Sequence, residues 1–329
     1  MPEQPKKKRS DLRAQLDRLG YDGKQRRKRE FSADEIRKAA KGKPSQRSGA
    51  ASGAVPLPDT SPPEKQILYR RDLPRRTSRP RATRRPAGPV TKLEEVVQGG
   101  EMLQGPGKSF VVSTPVARID DAQDVSPRFR DLIGSNESAL CGRIARVCDP
   151  TDISHKDVIF MDVESTGLGN SPLFLIGIMV WEGDGFETRQ FFARDYAEES
   201  AVIRLFLEAC GHKKLLVTFN GKSFDFPYIR TRAAAAGIPF GVDPHHMDML
   251  HVCRRIWRRR LPDCKLQTLE TFVCNRARHG DIPGSEIPDA YHEYVRTKDA
   301  WQMVDVLKHN RLDLVTMADL MNRLPPAGD

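Results

Sequence analysis

The sequence predicts an α/β domain with a mixed sheet, carried behind a long basic tail. Three observations lead there. The 329-residue chain has a net charge of +10, yet its first hundred residues carry 26 Lys and Arg against 12 Asp and Glu. The rest carries 28 against 32, so the basicity belongs to the tail and not to the folded part. The same hundred residues hold 11 of the 24 prolines and only three aromatics, Tyr21, Phe31 and Tyr69. So little apolar content does not offset chain entropy, and the tail is expected to be disordered. From Asp157 onward, short apolar runs alternate with amphipathic helical stretches, which is the order of an α/β sheet.

Taken in order, residues 1–105 form the tail. Short helices are expected at 10–19 and 32–41, the second opened by a Ser32/Glu35 capping box. The Arg/Pro run at 70–85 reads either as an arm for nucleic-acid phosphates or as a solvating linker. Residues 106–150 are a connecting segment, partly structured, with an edge strand at 110–112 and a helix at 137–147. The main domain spans 151–323. Its strands are expected at 157–163, 173–181, 186–193, 214–220 and 246–250, the second and third joined by a Gly183-Asp184-Gly185 turn. Helices are expected at 198–209, through 228–236 with a stop at Gly237, and at 250–259, 266–274, 288–296 and 300–320.

Lys6, Lys7, Lys8 and Arg9 are followed by no apolar stretch of the signal-peptide kind. The longest apolar run, 173–181, is too short to span a bilayer. The six cysteines show no C-x-x-C pairing, which points to reduced thiols and a cytoplasmic setting. Cys253, Cys264, Cys274 and His279 match no zinc-ligand spacing.

The chemistry starts at DVIFMDVESTGLGN, residues 157–170. Side chains alternate along a strand, so Asp162 and Glu164 point the same way. Two acids on one face of a core strand cost several kcal/mol unless a positive charge sits with them, and a divalent cation is the usual remedy. Read locally, they are also a strand ending in two solvated acids. Ser165, Thr166 and Gly167 then form a flexible turn that a substrate backbone can approach. Asp225 follows Asn220-Gly221-Lys222-Ser223-Phe224 in the first turn of a helix, where the dipole alone would favour an acid. His309 and Asp313 are four apart on a late helix and share a face, as does Asp305; such pairs are also common on surfaces.

In combination, D-x-E on a strand, Asp after N-x-x-x-F, and H-x-x-x-D on a late helix resemble the DEDD superfamily of 3′-to-5′ exonucleases. The chain resembles more closely the YprB-type ribonuclease-H-like family. The residues that carry this are DVESTGL (162–168), FNGKSFDFPYIRTR (219–232), HMDMLHVCRRIWRRRLPDCKLQTLE (246–270), DIPGSEIPDAY (281–291) and HNRLDLVTMADL (309–320). The resemblance covers roughly 155–321 and not the tail. It implies a ribonuclease-H-like mixed five-stranded sheet flanked by helices. It also implies a metal-dependent 3′-to-5′ exonuclease acting on single-stranded nucleic acid, DNA or RNA.

By the same resemblance, Asp162, Glu164, Asp225 and Asp313 would hold two Mg²⁺ or Mn²⁺ ions, and His309 would orient or deprotonate the attacking water. Thr166, Gly167, Leu168, Asn220 and Ser223 would contact substrate. Phosphodiester hydrolysis needs an activated water and a stabilised leaving oxygen, which two metals about 3.5–4 Å apart supply. Hard oxygen ligands select Mg²⁺ or Mn²⁺.

DEDD enzymes with a His base place it five before the last Asp, and those with Tyr place it four before. Here a His stands at the Tyr spacing, and Ser165 replaces the commoner Thr of E-T-T-G. The alternative on the same fold is a non-catalytic nucleic-acid-binding protein; the presence of all four acids argues for the enzyme. Asp248, beside His245, His246 and His251, reads as a helix cap or as support for the metal site. Arg254, Arg255, Arg258, Arg259 and Arg260 form a basic stripe, for nucleic-acid backbone or for solvent. Trp257 and Tyr228 read as packing residues.

Overall fold

A computed structural model describes residues 89–135, 138–167, 169 and 171–325. The helices expected at 10–19 and 32–41, the Arg/Pro run at 70–85 and Leu168 lie outside the described residues. A short helix α1 (Leu93–Val96) precedes a hairpin of β1 (Gly100–Gln104) and β2 (Gly107–Pro115). Helices α2 (Val125–Ile133) and α3 (Ala139–Ile144) lead to three consecutive strands, β3 (Val158–Ser165), β4 (Leu173–Glu182) and β5 (Gly185–Phe192). Then α4 (Glu199–Cys210), β6 (Leu215–Thr218), α5 (Asp225–Ala235) and β7 (His245–Asp248) alternate. The chain finishes helical, with α6 (Met249–Trp257), α7 (Leu266–Phe272), α8 (Ile287–Thr297) and α9 (Met303–Asn322).

The sheet has seven strands in the order β1-β2-β5-β4-β3-β6-β7. It is mixed: β3 pairs antiparallel with β4 and parallel with β6, and β6 pairs parallel with β7. Five strands were expected, and the hairpin at 100–115 accounts for the difference. Only Phe110, Val111 and Val112 mark β2 as apolar, and the residues around them are polar or small, so its nine-residue length was hidden. Nor is β2 an edge strand, because β1 covers its outer side. The sheet therefore takes in residues 100–104, within the stretch assigned to the tail. The five expected strands of the main domain appear within a few residues of their predicted bounds.

Two apolar clusters fill the two faces of the sheet. Ile159 and Met161 of β3 belong to one, with residues of α4, α5 and α8; Val158 and Phe160 belong to the other, with residues of α2, α6 and α9. A strand buried on both faces needs a continuous apolar run, which is what 158–161 supplies. The parity of that strand puts Asp162 and Glu164 on the face of Val158 and Phe160, where α9 crosses β3. Among the described residues, no helix is long and apolar enough to cross a membrane.

Candidate active site

Three elements bring the expected acids together. Asp162 and Glu164 lie at the end of β3, whose register shifts between Glu164 and Ser165 as the strand leaves the sheet. The turn beyond is tied down locally: the Thr166 amide and hydroxyl both donate to the Pro172 carbonyl at 3.0 Å, and the Ser165 hydroxyl to the Gly167 carbonyl at 2.7 Å.

Asp225 is the first residue of α5 and packs over Gly221, where an added Cβ would stand 2.8 Å from Asp225 Oδ2. Asn220 adopts a left-handed backbone to make that turn, with φ 69°. Asp248 holds the turn from the next strand. Its carboxylate accepts from the amides of Asn220 (2.8 Å), Lys222 (3.2 Å) and Leu250 (3.0 Å). Of the two readings of Asp248, the helix cap is met by its bond to the Leu250 amide; its other two bonds hold the Asn220–Lys222 turn. Ser223 is exposed on the same turn.

α9 contributes His309, Asn310 and Asp313. Asn310 is fully buried and donates to Asp162 Oδ2 at 2.9 Å, while its own Oδ1 accepts from Gln190 at 2.8 Å. Asp162, Gly177 and Gln190 are successive partners across β3, β4 and β5. A Cβ on Gly177 would lie 2.0 Å from Asn310 Oδ1, so only glycine leaves room for this side chain to reach Asp162. The sequence reading missed all three residues. The available signals were a lone glycine in the apolar β4 run and a buried glutamine in β5; nothing local says that they meet.

It also assigned no role to Arg278 or Asp281. Arg278 is buried among acids, with Nε 2.5 Å from Glu270 Oε2, Nη1 3.3 Å from Asp281 Oδ2 and Nη2 2.5 Å from Asp313 Oδ1. The last contact is an ion pair outside hydrogen-bond geometry, so Asp313 Oδ1 remains buried without a hydrogen bond. His309 Nδ1 is 3.0 Å from both Asp281 oxygens, and its Nε2 stands 3.7 Å from Asp313 Oδ2.

The electrostatics show how closely the acids are grouped. Burial, then the charges of Asp313 and Asp225, pushes Asp162 well above the usual carboxylate range. Burial, then Asp162, Asp313 and Asp225, does the same to Glu164. Asp225 is pushed up to about 7 by burial and by Asp248. Each keeps some accessible surface, as a substrate site requires, while the protein packed around it removes most of its hydration. For His309, burial lowers the pKa, but the Asp281 bond and the charges of Asp313 and Asp281 outweigh it, so the net shift is upward.

The donor set suits hard divalent cations in type and in charge. Its side chains are not arranged as ligands here: among the described residues, no three His, Cys, Asp or Glu side chains converge on a common point. Asp313 is drawn to Arg278 instead. All six cysteines are free.

The fold and this acid-lined strand end define a class. A family model described as the RNase_H superfamily matches residues 159–325, half of the chain, and the chain belongs to that superfamily. Within it the chain is of the YprB type. It is 30% identical over 169 residues, 50% of its length, to the uncharacterized protein YprB of Bacillus subtilis (strain 168). It spans only 41% of that relative. A solved family B DNA polymerase from the hyperthermophilic archaeon Pyrobaculum calidifontis matches 51% of this chain and 24% of its own, at 18% identity and a TM-score of 0.43.

Proposed function

We propose that the chain is a metal-dependent 3′-to-5′ exonuclease that hydrolyses phosphodiester bonds of single-stranded DNA or RNA. Asp162, Glu164, Asp225 and Asp313 would hold two Mg²⁺ or Mn²⁺ ions, in a protein working in the cytoplasm. One observation carries this reading. Asp162 and Glu164 are desolvated together, and the charges of Asp313 and Asp225 push both further up, a charge surplus that cations relieve. When bound, the ions supply an activated water and charge stabilisation at the phosphate.

The chain's own residues do the rest. Asp281, as an acceptor, keeps the His309 proton on Nδ1, so Nε2 is free to take one from water. Asn310 fixes Asp162 through one oxygen and leaves the other available. Thr166, Gly167, Leu168, Asn220 and Ser223 would border the strand being cut.

Arg278 favours a second reading, a non-catalytic nucleic-acid-binding protein, because its guanidinium supplies charge balance at Asp313 without a metal. End-labelled single strands of both sugars, incubated with the full chain in Mg²⁺ or Mn²⁺, separate the two. A ladder shortening from the 3′ end with wild type and not with Asp162→Asn supports the enzyme. Binding without shortening supports the second reading.

A further inference from the structure

Beside the Asn220–Lys222 turn is a cavity of about 180 Å³, whose lining includes Arg143, Arg146, Lys222, Asp248, His251 and Arg255. Arg143, on α3, is only 7% exposed, and its Nε has no hydrogen-bond partner. Besides burial, the charges acting on it are Arg146 and Arg255, both repulsive. The acid in the cavity wall, Asp248, already accepts from three backbone amides. Four permanent cations thus share a small space with one acid that faces the backbone. A buried guanidinium left without an anion is costly, and proteins avoid it unless something arrives to pair with it. The planar fork of arginine matches phosphate oxygens two at a time, and clustered arginines and lysines are the usual way to hold phosphate.

We propose that this cavity is a phosphate-binding site that holds one phosphate of the nucleic-acid strand while the strand lies across the acids. Lys222 joins the two places, since it lines the cavity and lies three residues before Asp225. The identity of the polymer rests on the exonuclease reading; the affinity for phosphate does not.

The test uses the full chain without divalent ions, so no turnover is needed. Two variants are compared with wild type: Arg143→Met, and the exposed pair Arg146→Gln/Arg255→Gln, which leaves the buried core untouched. Thermal unfolding is followed in inorganic phosphate and in chloride at equal ionic strength. Phosphate should stabilise wild type and neither variant. In chloride, Arg143→Met should melt no lower than wild type, because it removes an unpaired buried charge.

Fluorescence polarisation then measures labelled single-stranded oligonucleotides with a 5′-phosphate, with a 3′-phosphate, or with internal phosphates only. Both variants should bind roughly tenfold more weakly. The double variant should flatten the log K against log[salt] slope by about 0.7, the value for the one single-strand phosphate it no longer neutralises. A loss confined to one terminally phosphorylated oligonucleotide assigns the site to a chain end; an equal loss across all three assigns it to an internal phosphodiester.

The proposal is overturned if the double variant binds phosphate and oligonucleotides as wild type does. It is also overturned if phosphate stabilises wild type while every oligonucleotide binds all three proteins alike, which would leave a site for a small anion. If the exonuclease reading fails, the sign is an absent ladder in Mg²⁺ or Mn²⁺, and these binding readouts are unaffected.

Discussion

Two like-charged clusters adjoin the Asn220–Lys222 turn, and they are built differently. On one side, the carboxylates of β3, α5 and α9 lie near a buried arginine that pairs with Asp313, Asp281 and Glu270, and a hydrogen-bonded chain of Gln190 and Asn310 braces Asp162. On the other, Arg143 is buried with no such partner and no such brace. Asp248 touches both, as a wall of the arginine cavity and as one cause of the raised Asp225 pKa. The contrast separates charge that the fold has balanced for itself from charge left for a ligand to balance.

The largest effect should come from the acids. Asp162→Asn and Asp313→Asn should each lower metal-dependent hydrolysis by roughly a thousandfold or more, since groups that act as a unit fail together. In metal-free protein, Asp162→Asn should melt higher than wild type, because a desolvated charge is gone. Near-wild-type turnover in both variants, measured in Mg²⁺, would remove the site from the acids altogether.

His309→Ala should cost about 10²–10⁴-fold in rate with metal affinity little changed. His309→Tyr should recover part of that loss, because a hydroxyl at this spacing from Asp313 can still hold the water. An Ala variant as fast as wild type would reduce His309 to a helix-face residue paired with Asp281.

The two arginines give the sharpest contrast. Arg278→Leu removes the cation shared by three acids, of which Glu270 is fully buried, and should cost about 3–5 kcal/mol in urea denaturation, the range for breaking a buried pair. Arg143→Met should cost nothing or gain slightly. Equal losses would erase the distinction between the two clusters.

A further effect is a pH slope in the metal-free protein. Asp225 titrates near 7 when folded and near 4 when unfolded, so the folded state holds the extra proton between those values. Its contribution to stability is present below about pH 4 and is lost as pH rises towards 7. Denaturation midpoints at pH 4.5 and 7.5 should show this fall, and Asp225→Asn should reduce it.

The placement of the acids on their elements was readable from sequence because each sits in a local pattern: alternation on a strand for Asp162 and Glu164, a first helical turn for Asp225, an i,i+4 face for Asp313. The order of strands and helices in the main domain was readable for the same reason. What escaped is long-range. Gly177, Gln190 and Asn310 lie on two strands and a helix, and their meeting depends on sheet register. Arg278 and Asp281 sit between helices in a segment with no periodicity of its own. The hairpin at 100–115 escaped because only Phe110, Val111 and Val112 mark its longer strand as apolar.

That hairpin has a practical consequence. β2 pairs along β5 from Phe110 opposite Phe192 to Pro115 opposite Glu187. The segment that matches the superfamily, 159–325, begins well after it. A polypeptide trimmed to that segment would leave the outer rim of β5 with a bare row of amides and carbonyls, next to Phe186, Phe191 and Phe192. Such a rim is a template for another molecule's strand. The trimmed protein should self-associate with rising concentration, in light scattering or sedimentation, where a chain that retains residues 89–115 stays dispersed.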